Sequence, residues 1–254
     1  MRKPTLLLAP LAAAAFTLAA APVASADHAN GSYQTTLNPL NGSSGSGMAT
    51  IAINGDQATI DLSWSGLPET FMDGPYPHVQ HIHIGGRGEC PTPSADKNGD
   101  GVVDTPEGQP AYGEIGTTLS LKGDTSPAAG TNIKIAPAGS SVDYSRTITL
   151  DEPTLDALAE GTGVIVVHGL DPATLSEEAA NAMSSLVPEL PLAATAPALC
   201  GALAGMPAGG VETGGGNTGG IDNLGLLGAG GGLLAVAAVA GVAAQRRRVA
   251  SIDS

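Results

Sequence analysis

Four of the five histidines lie in two short apolar segments, with a spacing suited to metal ligands. His78, His81 and His83 fall in one predicted strand, and His168 ends a second one, after the apolar run at 164–167. Because side chains alternate along a strand, His81 and His83 share one face and His78 lies on the other. Three imidazoles suit copper or zinc. His81, His83 and His168 are therefore candidate copper ligands; the alternative is three half-buried histidines bonded to backbone carbonyls.

A twelve-residue segment from Asp96 to Glu107 has the spacing of a calcium-binding loop. Gly101 stands where such loops turn sharply. Prolines and glycines at positions 91, 93, 108 and 110 surround the segment, so we predict a calcium loop without flanking helices. The alternative is an acidic, solvated turn rich in Asn, Asp and Gly. The predicted calcium ligands are five side chains and one backbone carbonyl: Asp96, Asn98, Asp100, Val102, Asp104 and Glu107.

The elements that must position these residues have the pattern of an all-β domain, over residues 27–204. Segments with a period of two residues recur between turns rich in Gly, Pro, Asn and Asp, which favours an antiparallel Greek-key sandwich or barrel. Two helical pieces are predicted, Glu152–Glu160 and Asp171–Ser185, the second capped by Thr174. The predicted strands are Gly31–Leu37, Met48–Ile53, Ala58–Trp64, His78–Ile84, Glu114–Leu121, Val142–Leu150, Gly163–His168 and Ala196–Leu203.

The amino terminus has the three parts of a secretory signal peptide, residues 1–26. Arg2 and Lys3 are followed by an apolar stretch over 6–21, and Ala24-Ser25-Ala26 is a small-residue cleavage site. We therefore predict that the domain is exported.

The carboxyl terminus has the pattern of a membrane anchor. A Gly-rich linker (205–223) precedes an uncharged apolar run (224–244), and a basic tail (245–254) with three arginines follows it. About 20 apolar residues span a bilayer, and the positive-inside rule places the tail in the cytoplasm. Thr213-Gly214 resembles half of a Gram-positive cell-wall sorting signal, which makes the cell wall a second possible attachment; the Leu-Pro half is absent.

Cys90 and Cys200 are the two cysteines of the chain. Outside the cell an even pair favours a disulfide, which would close a very long loop. Two thiols without histidine partners do not make a zinc site, so a metal role for the cysteines is disfavoured.

The charge of the exported part excludes nucleic acid as a partner. Residues 27–213 carry five basic and 22 acidic side chains, which gives a formal charge of 5 − 22 = −17. No basic surface of the kind that neutralises phosphates is present. A surface this acidic attracts cations and repels anions.

Four sequence elements together resemble the copper–zinc superoxide dismutase family. They are the run from His78 to His83, then Cys90, then the run 163–168 that ends in His168, then Leu199-Cys200-Gly201. The resemblance implies that His81, His83 and His168 hold copper, that His78 is the structural histidine preceding the pair, and that the cysteines form a disulfide. The sequence also resembles exported actinobacterial proteins with a chordin-like (CHRD) domain, which is similar to the dismutases in fold.

Two departures from the dismutase pattern bear on activity. Asp96 stands where that family has the histidine bridging copper and zinc, so no zinc is expected. Pro197 stands where the family has the arginine that binds superoxide.

Two functions follow as hypotheses. One is a membrane-tethered copper-binding domain with weak superoxide dismutation, or with copper capture and no turnover. The other is a non-catalytic CHRD-like surface module for adhesion or partner binding, stabilised by calcium and the disulfide.

Overall fold

The computed structural model of the protein describes residues 30–207. The predicted signal peptide, apolar span, basic tail and Thr213-Gly214 motif lie outside these residues. Within 30–207, no helix combines the length and the hydropathy needed to cross a membrane. Of the predicted linker only the first three residues are described, and Gly205 belongs to a strand.

The described chain is mostly β structure, so the all-β prediction is confirmed. All eight predicted strands are present, with ends that shift by up to three residues, and three two-residue strands accompany them. The strands are β1 (Asn30–Pro39), β2 (Ser46–Asn54), β3 (Gln57–Ser65), β4 (Thr70–Phe71), β5 (Gly74–Pro75), β6 (Gln80–Gly85), β7 (Gly113–Thr118), β8 (Ser141–Thr149), β9 (Val164–His168), β10 (Pro197–Ala202) and β11 (Ala204–Gly205).

One antiparallel sheet, curled into a half-barrel, contains all of these strands except the small β4–β5 hairpin. Its order is β7-β6-β9-β10-β1-β2-β3-β8, with β11 paired to β1. The long strand β1 joins the two halves, because it pairs with β2 along most of its length and with β10 at Asn38 and Pro39. The half β7-β6-β9-β10 carries the histidines.

The two halves bury their inner faces in one hydrophobic core. In β3, burial alternates with nearly every residue, and Ile60 and Trp64 point inward. Ile82 and Ile165 enter the same core from the opposite half. Since side chains alternate, the neighbours of Ile82, namely His81 and His83, must lie on the outer face of their half.

One of the two predicted helices differs from the structure. The predicted helix Asp171–Ser185 is broken: Leu175 is extended, and the helix that follows is only five residues long, capped by Ser176 and not by Thr174. Within residues 30–207 the four α-helices are α1 (Thr105–Tyr112), α2 (Glu152–Ala159), α3 (Glu177–Asn181) and α4 (Leu192–Thr195).

Helix α1 contradicts the prediction that the acidic segment has no helix beside it. Asp104 caps it in a reciprocal capping box with Glu107, and Pro106 lies in its first turn, where a missing N–H costs nothing. These signals outweigh Gly108 and Pro110, which suggested a loop.

The predicted disulfide between Cys90 and Cys200 is present. Cys200 is fully buried in β10, next to β9, and Cys90 lies five residues after the end of β6. The bridge therefore ties together the two stretches of chain that carry the histidines.

Candidate metal centre

Three histidines meet on the outer face of the half β7-β6-β9-β10. His81 and His83 project from β6 opposite Val166 and Val164 of β9, and His168 ends β9. All three are at most 3% exposed. One ring nitrogen from each lies within 4.8 Å of the other two, and this is the one such group of three or more metal-binding side chains among the described residues. The predicted convergence of the three imidazoles is present.

A backbone carbonyl fixes the orientation of each of these rings. Nε2 of His81 donates to the carbonyl of Gly130 (3.0 Å). Nδ1 of His83 donates to Gly113 (2.9 Å), and Nδ1 of His168 donates to Thr195 (2.7 Å). Metal-bound histidines are held in this way, with one nitrogen donating and the other free as a ligand.

The second nitrogen of each ring has no hydrogen-bond partner. Nδ1 of His81, Nε2 of His83 and Nε2 of His168 are all buried and unsatisfied. Leaving a buried polar atom unpaired costs about 1–3 kcal/mol, so three together are a substantial penalty for folding. A cation held between the three lone pairs would remove that penalty. The donor set therefore fits a metal ion.

The three imidazoles are neutral at ordinary pH. Burial lowers the pKa of His83 to about 3, with a further contribution from the neighbouring His168. Burial likewise lowers the pKa of His168 to about 4 and holds that of His81 well below its usual value. Only the neutral ring has a lone pair to give, so the site is ready for a metal without first releasing protons.

Two glycines make this arrangement possible. Gly113 has φ of +93°, and a Cβ there would collide with the carbonyl oxygen of Ile84. Gly130 approaches the site closely, since a Cβ there would come within 2.5 Å of Ile115 and 3.4 Å of His81. Both supply carbonyls that hold the metal-binding rings, and side chains at either position would push these carbonyls away.

His78 supports the site from behind and is not a ligand. Its Nδ1 lies 2.8 Å from the carbonyl oxygen of His168, and its Nε2 lies 3.0 Å from that of Pro68. The ring packs between Trp64 and Tyr76. Both nitrogens thus face backbone carbonyls and not the three-histidine cluster. The structural role of His78 stays a prediction.

A small cavity opens directly above the three rings. Its volume is about 90 Å³, and among the described residues that line it none carries a charge. Much of the wall is apolar: Phe71, Val79, Ile115, Ile133, Leu186 and Leu190. The site is therefore reached through uncharged surroundings.

The acidic segment 96–107 has a different geometry from the histidine site. Its carboxylates accept hydrogen bonds from the backbone of the same segment: both oxygens of Asp96 from Gly99 and Gly101, and Oε1 of Glu107 from Lys97. Of the predicted ligands only Asn98 is exposed; Asp96, Asp100 and Glu107 are half-buried, and Val102 and Asp104 are buried. Calcium binding here stays a prediction.

Helix α1, which begins in the acidic segment, contacts the histidine site at both of its ends, and the sequence did not predict these contacts. Thr105, at the start of α1, donates to the carbonyl of Thr195, the same oxygen that accepts from His168. Tyr112, at the other end of α1, packs edge-on against His83 at 4.6 Å. No sequence pattern marks these partners, because each lies far along the chain from the histidine it contacts.

Comparison with known proteins finds no family model and no curated protein that matches this chain.

Proposed function

We propose that this protein is an exported, membrane-tethered copper-binding domain related in fold to the copper–zinc superoxide dismutases and CHRD domains. The observation that carries the proposal is the set of three buried, unpartnered imidazole nitrogens on His81, His83 and His168. The relationship in fold is supported by the order of these histidines, the Cys90–Cys200 disulfide and the curled antiparallel sheet.

Copper fits the donor set better than other metals of the same class. Among divalent first-row ions, nitrogen sites bind copper most tightly. The site also lacks a carboxylate among its candidate ligands, and its cavity is uncharged, so burying a double charge there is costly. Monovalent copper reduces that cost. We therefore propose that the resting site holds copper(I).

Bound copper would supply a one-electron redox centre. The protein's own residues favour retention of the metal over turnover of superoxide. Pro197, which pairs with His168 in the sheet, stands at the place of the dismutase arginine, and no cationic side chain among the described residues lines the cavity. With an exported charge of −17, an approaching anion is repelled. We expect slow dismutation at most.

Copper binding to the purified full-length protein tests the proposal. Titration with copper(I) against a coloured chelator should give one tightly bound ion per chain. His168→Gln removes one ligand and should weaken binding at least ~100-fold, since loss of a supporting contact alone costs 10–100-fold. Asp100→Asn, in the acidic segment, is the matched control and should leave copper affinity unchanged.

Two outcomes would contradict this function. Copper affinity that survives in a folded His168→Gln protein would place the metal elsewhere, and copper lost in Asp100→Asn would assign it to the acidic segment. A wild-type protein that binds no copper would instead favour the CHRD-like adhesion module, for which calcium and the disulfide would be purely structural.

A further inference from the structure

The large sheet ends in strand β8, whose outer edge pairs with no other strand in the described part of the chain. β8 spans nine residues, Ser141–Thr149, and is the last strand of the sheet, beside β3. Its register with β3 runs through all nine residues without a bulge. A long, regular edge of this kind can accept a further strand through backbone hydrogen bonds.

The hydrogen bonds at the two ends of β8 show which of its groups face the open edge. The N–H of Leu150 donates to the carbonyl of Asp56, and the carbonyl of Ser140 accepts from Gly66. Because hydrogen-bonded positions alternate in an antiparallel ladder, the even-numbered residues of β8 bond to β3. The N–H and C=O groups of the odd-numbered residues therefore point away from the sheet. These residues are Ser141, Asp143, Ser145, Thr147 and Thr149.

The opposite edge of the sheet is better protected than β8. Strand β7 is only six residues long, and its last residue, Thr118, donates its N–H to the carbonyl of Thr125 and its hydroxyl to that of Ser126. β8 contains neither proline nor lysine, which commonly protect edge strands. Its one basic side chain, Arg146, donates to the carbonyl and hydroxyl oxygens of Ser120. The fold thus leaves the β8 edge available for pairing.

We propose that two copies of this protein associate through their β8 edges, as an antiparallel pair centred on Ser145. This register aligns the two strands over their full length and pairs every residue whose backbone groups face the open edge. The contact is two-fold symmetric, because the same edge is used by both copies. It lies outside the histidine site and does not depend on copper.

The sequence of β8 complements itself in this register. On the outer face, Asp143 lies opposite Thr147 of the other copy, so no like charges meet directly. On the inner face, Val142 lies opposite Ile148, which makes an apolar pair. β8 carries one acid and one base, so the strand itself is neutral although the exported part has a formal charge of −17. A second copy therefore fits this edge better than a basic peptide, which would meet a single carboxylate along the strand.

A charge swap at Ser145 tests the register. Ser145 is exposed and faces its own counterpart across the two-fold axis, so Ser145→Asp or Ser145→Lys places like charges opposite each other. Either variant alone should dimerise at least ~3-fold more weakly than an equal mixture of the two, in which opposite charges meet. Analytical ultracentrifugation of the metal-free, full-length protein in detergent measures this association.

The matched control makes the same charge changes away from the edge. Ala52 is exposed on β2, which β3 separates from β8. Ala52→Asp and Ala52→Lys should dimerise equally well alone and mixed.

Removal of one backbone donor tests the hydrogen bonds of the pair. Ser145→Pro deletes an N–H that faces the open edge, where proline is tolerated, so the monomer should stay folded by circular dichroism. The dimer loses two hydrogen bonds, one from each copy, and should weaken at least ~10-fold. Association that survives Ser145→Pro and does not respond to the Ser145 mixture would come from another surface and would overturn the proposal, as would a wild-type protein that stays monomeric at every concentration.

Hydrogen exchange at single residues distinguishes the two sides of β8. The N–H groups of Tyr144 and Arg146 bond to β3 and should be protected at every protein concentration. Those of Asp143, Ser145 and Thr147 should exchange fast in the monomer and become protected as the concentration rises. Protection already in the monomer would mean that another segment of the same chain covers this edge, and fast exchange at every concentration would mean that nothing pairs with it; either result contradicts pairing between copies.

Discussion

Two regions of the molecule have sequences typical of metal sites, yet their structures differ in how the donor atoms are used. In the histidine site, three ring nitrogens are buried and unpaired. In the acidic segment 96–107, the carboxylates already bind the segment's own N–H groups, and Asp104 and Glu107 form the capping box of helix α1. The local fold of the acidic segment is explained without an ion. The unpaired nitrogens of the histidine site have no such partners, and a bound metal ion would supply one.

This difference separates a motif from a preorganised site. Matching residue types at the right spacing occur in both regions, but only in one does the fold leave lone pairs free at a cost to its own stability. A carboxylate has further lone pairs, so calcium could still add to the acidic segment. We expect it to bind weakly, since it must compete with hydrogen bonds already made.

The largest effect is expected from the disulfide, which connects the chain beside both regions. Replacing both cysteines (Cys90→Ala with Cys200→Ala) opens a loop of 110 residues. In the chain-entropy model this lowers the free energy of unfolding by about 5 kcal/mol. Chemical denaturation of the metal-free protein measures it. A loss below ~1 kcal/mol would mean that the β-sheet, and not the bridge, holds the two histidine-bearing stretches together.

Acid should lower the free energy of unfolding of the metal-free protein through its buried histidines. The pKa values of His83 and His168 in the fold, about 3 and about 4, lie below the unfolded value of 6.5. Between pH 6.5 and 4 the unfolded chain therefore binds protons that the folded chain does not, and stability falls as the pH falls. Each histidine contributes up to about 1.4 kcal/mol per pH unit.

Urea unfolding of the metal-free protein at several pH values measures this slope. His83→Gln should make the slope shallower between pH 6.5 and 4.5, while Thr147→Val, which removes no titratable group, should leave it unchanged. If the unfolding free energy depends on pH equally in wild type and His83→Gln, the His83 ring does not cause the loss of stability in acid.

The contact between the two regions should tune copper affinity. Thr105→Val keeps the shape of the side chain but removes the hydroxyl that shares the Thr195 carbonyl with His168. The carbonyl then accepts from His168 alone, which strengthens that hydrogen bond. We therefore expect copper affinity to rise by about 10-fold. Thr147→Val, on the exposed face of β8, is the control. An unchanged affinity in Thr105→Val would make α1 and the metal site independent.

Calcium should have the smallest effect. At a calcium concentration equal to the dissociation constant, binding stabilises the fold by about 0.4 kcal/mol. Differential scanning calorimetry with and without calcium should show a small rise in Tm in wild type and none in Asp100→Ala. A rise that persists in Asp100→Ala would assign the calcium effect to another part of the surface.

The strands and the histidine cluster could be predicted because they depend on local alternation. A residue on a half-buried strand has only two faces, so the placement of His81 and His83 on one face followed from their spacing of two. The approach of His168 depended on which strands pair, and the resemblance to a known family supplied that. Spacing alone left the alternative of ordinary buried histidines open.

The walls of the site could not be predicted in this way. Tyr76, Gly130 and the loop 183–191 reach the histidines through tertiary contacts with no period in the sequence. Helix α1 was missed for another reason. The sequence contains its capping box at Asp104 and Glu107, but the same residues also match calcium ligands, and Pro110 predicts the end of a helix.

The covalent link between Cys90 and Cys200 has a consequence for when the protein matures. It joins the segment after His83 to the strand beside His168, so oxidation of the thiols adds a covalent link to the β6–β9 pairing that brings the histidine-bearing strands together. Reducing compartments keep such thiols apart. For the exported protein proposed above, we therefore expect this added restraint on the histidine site to form only after the chain has left the cytoplasm.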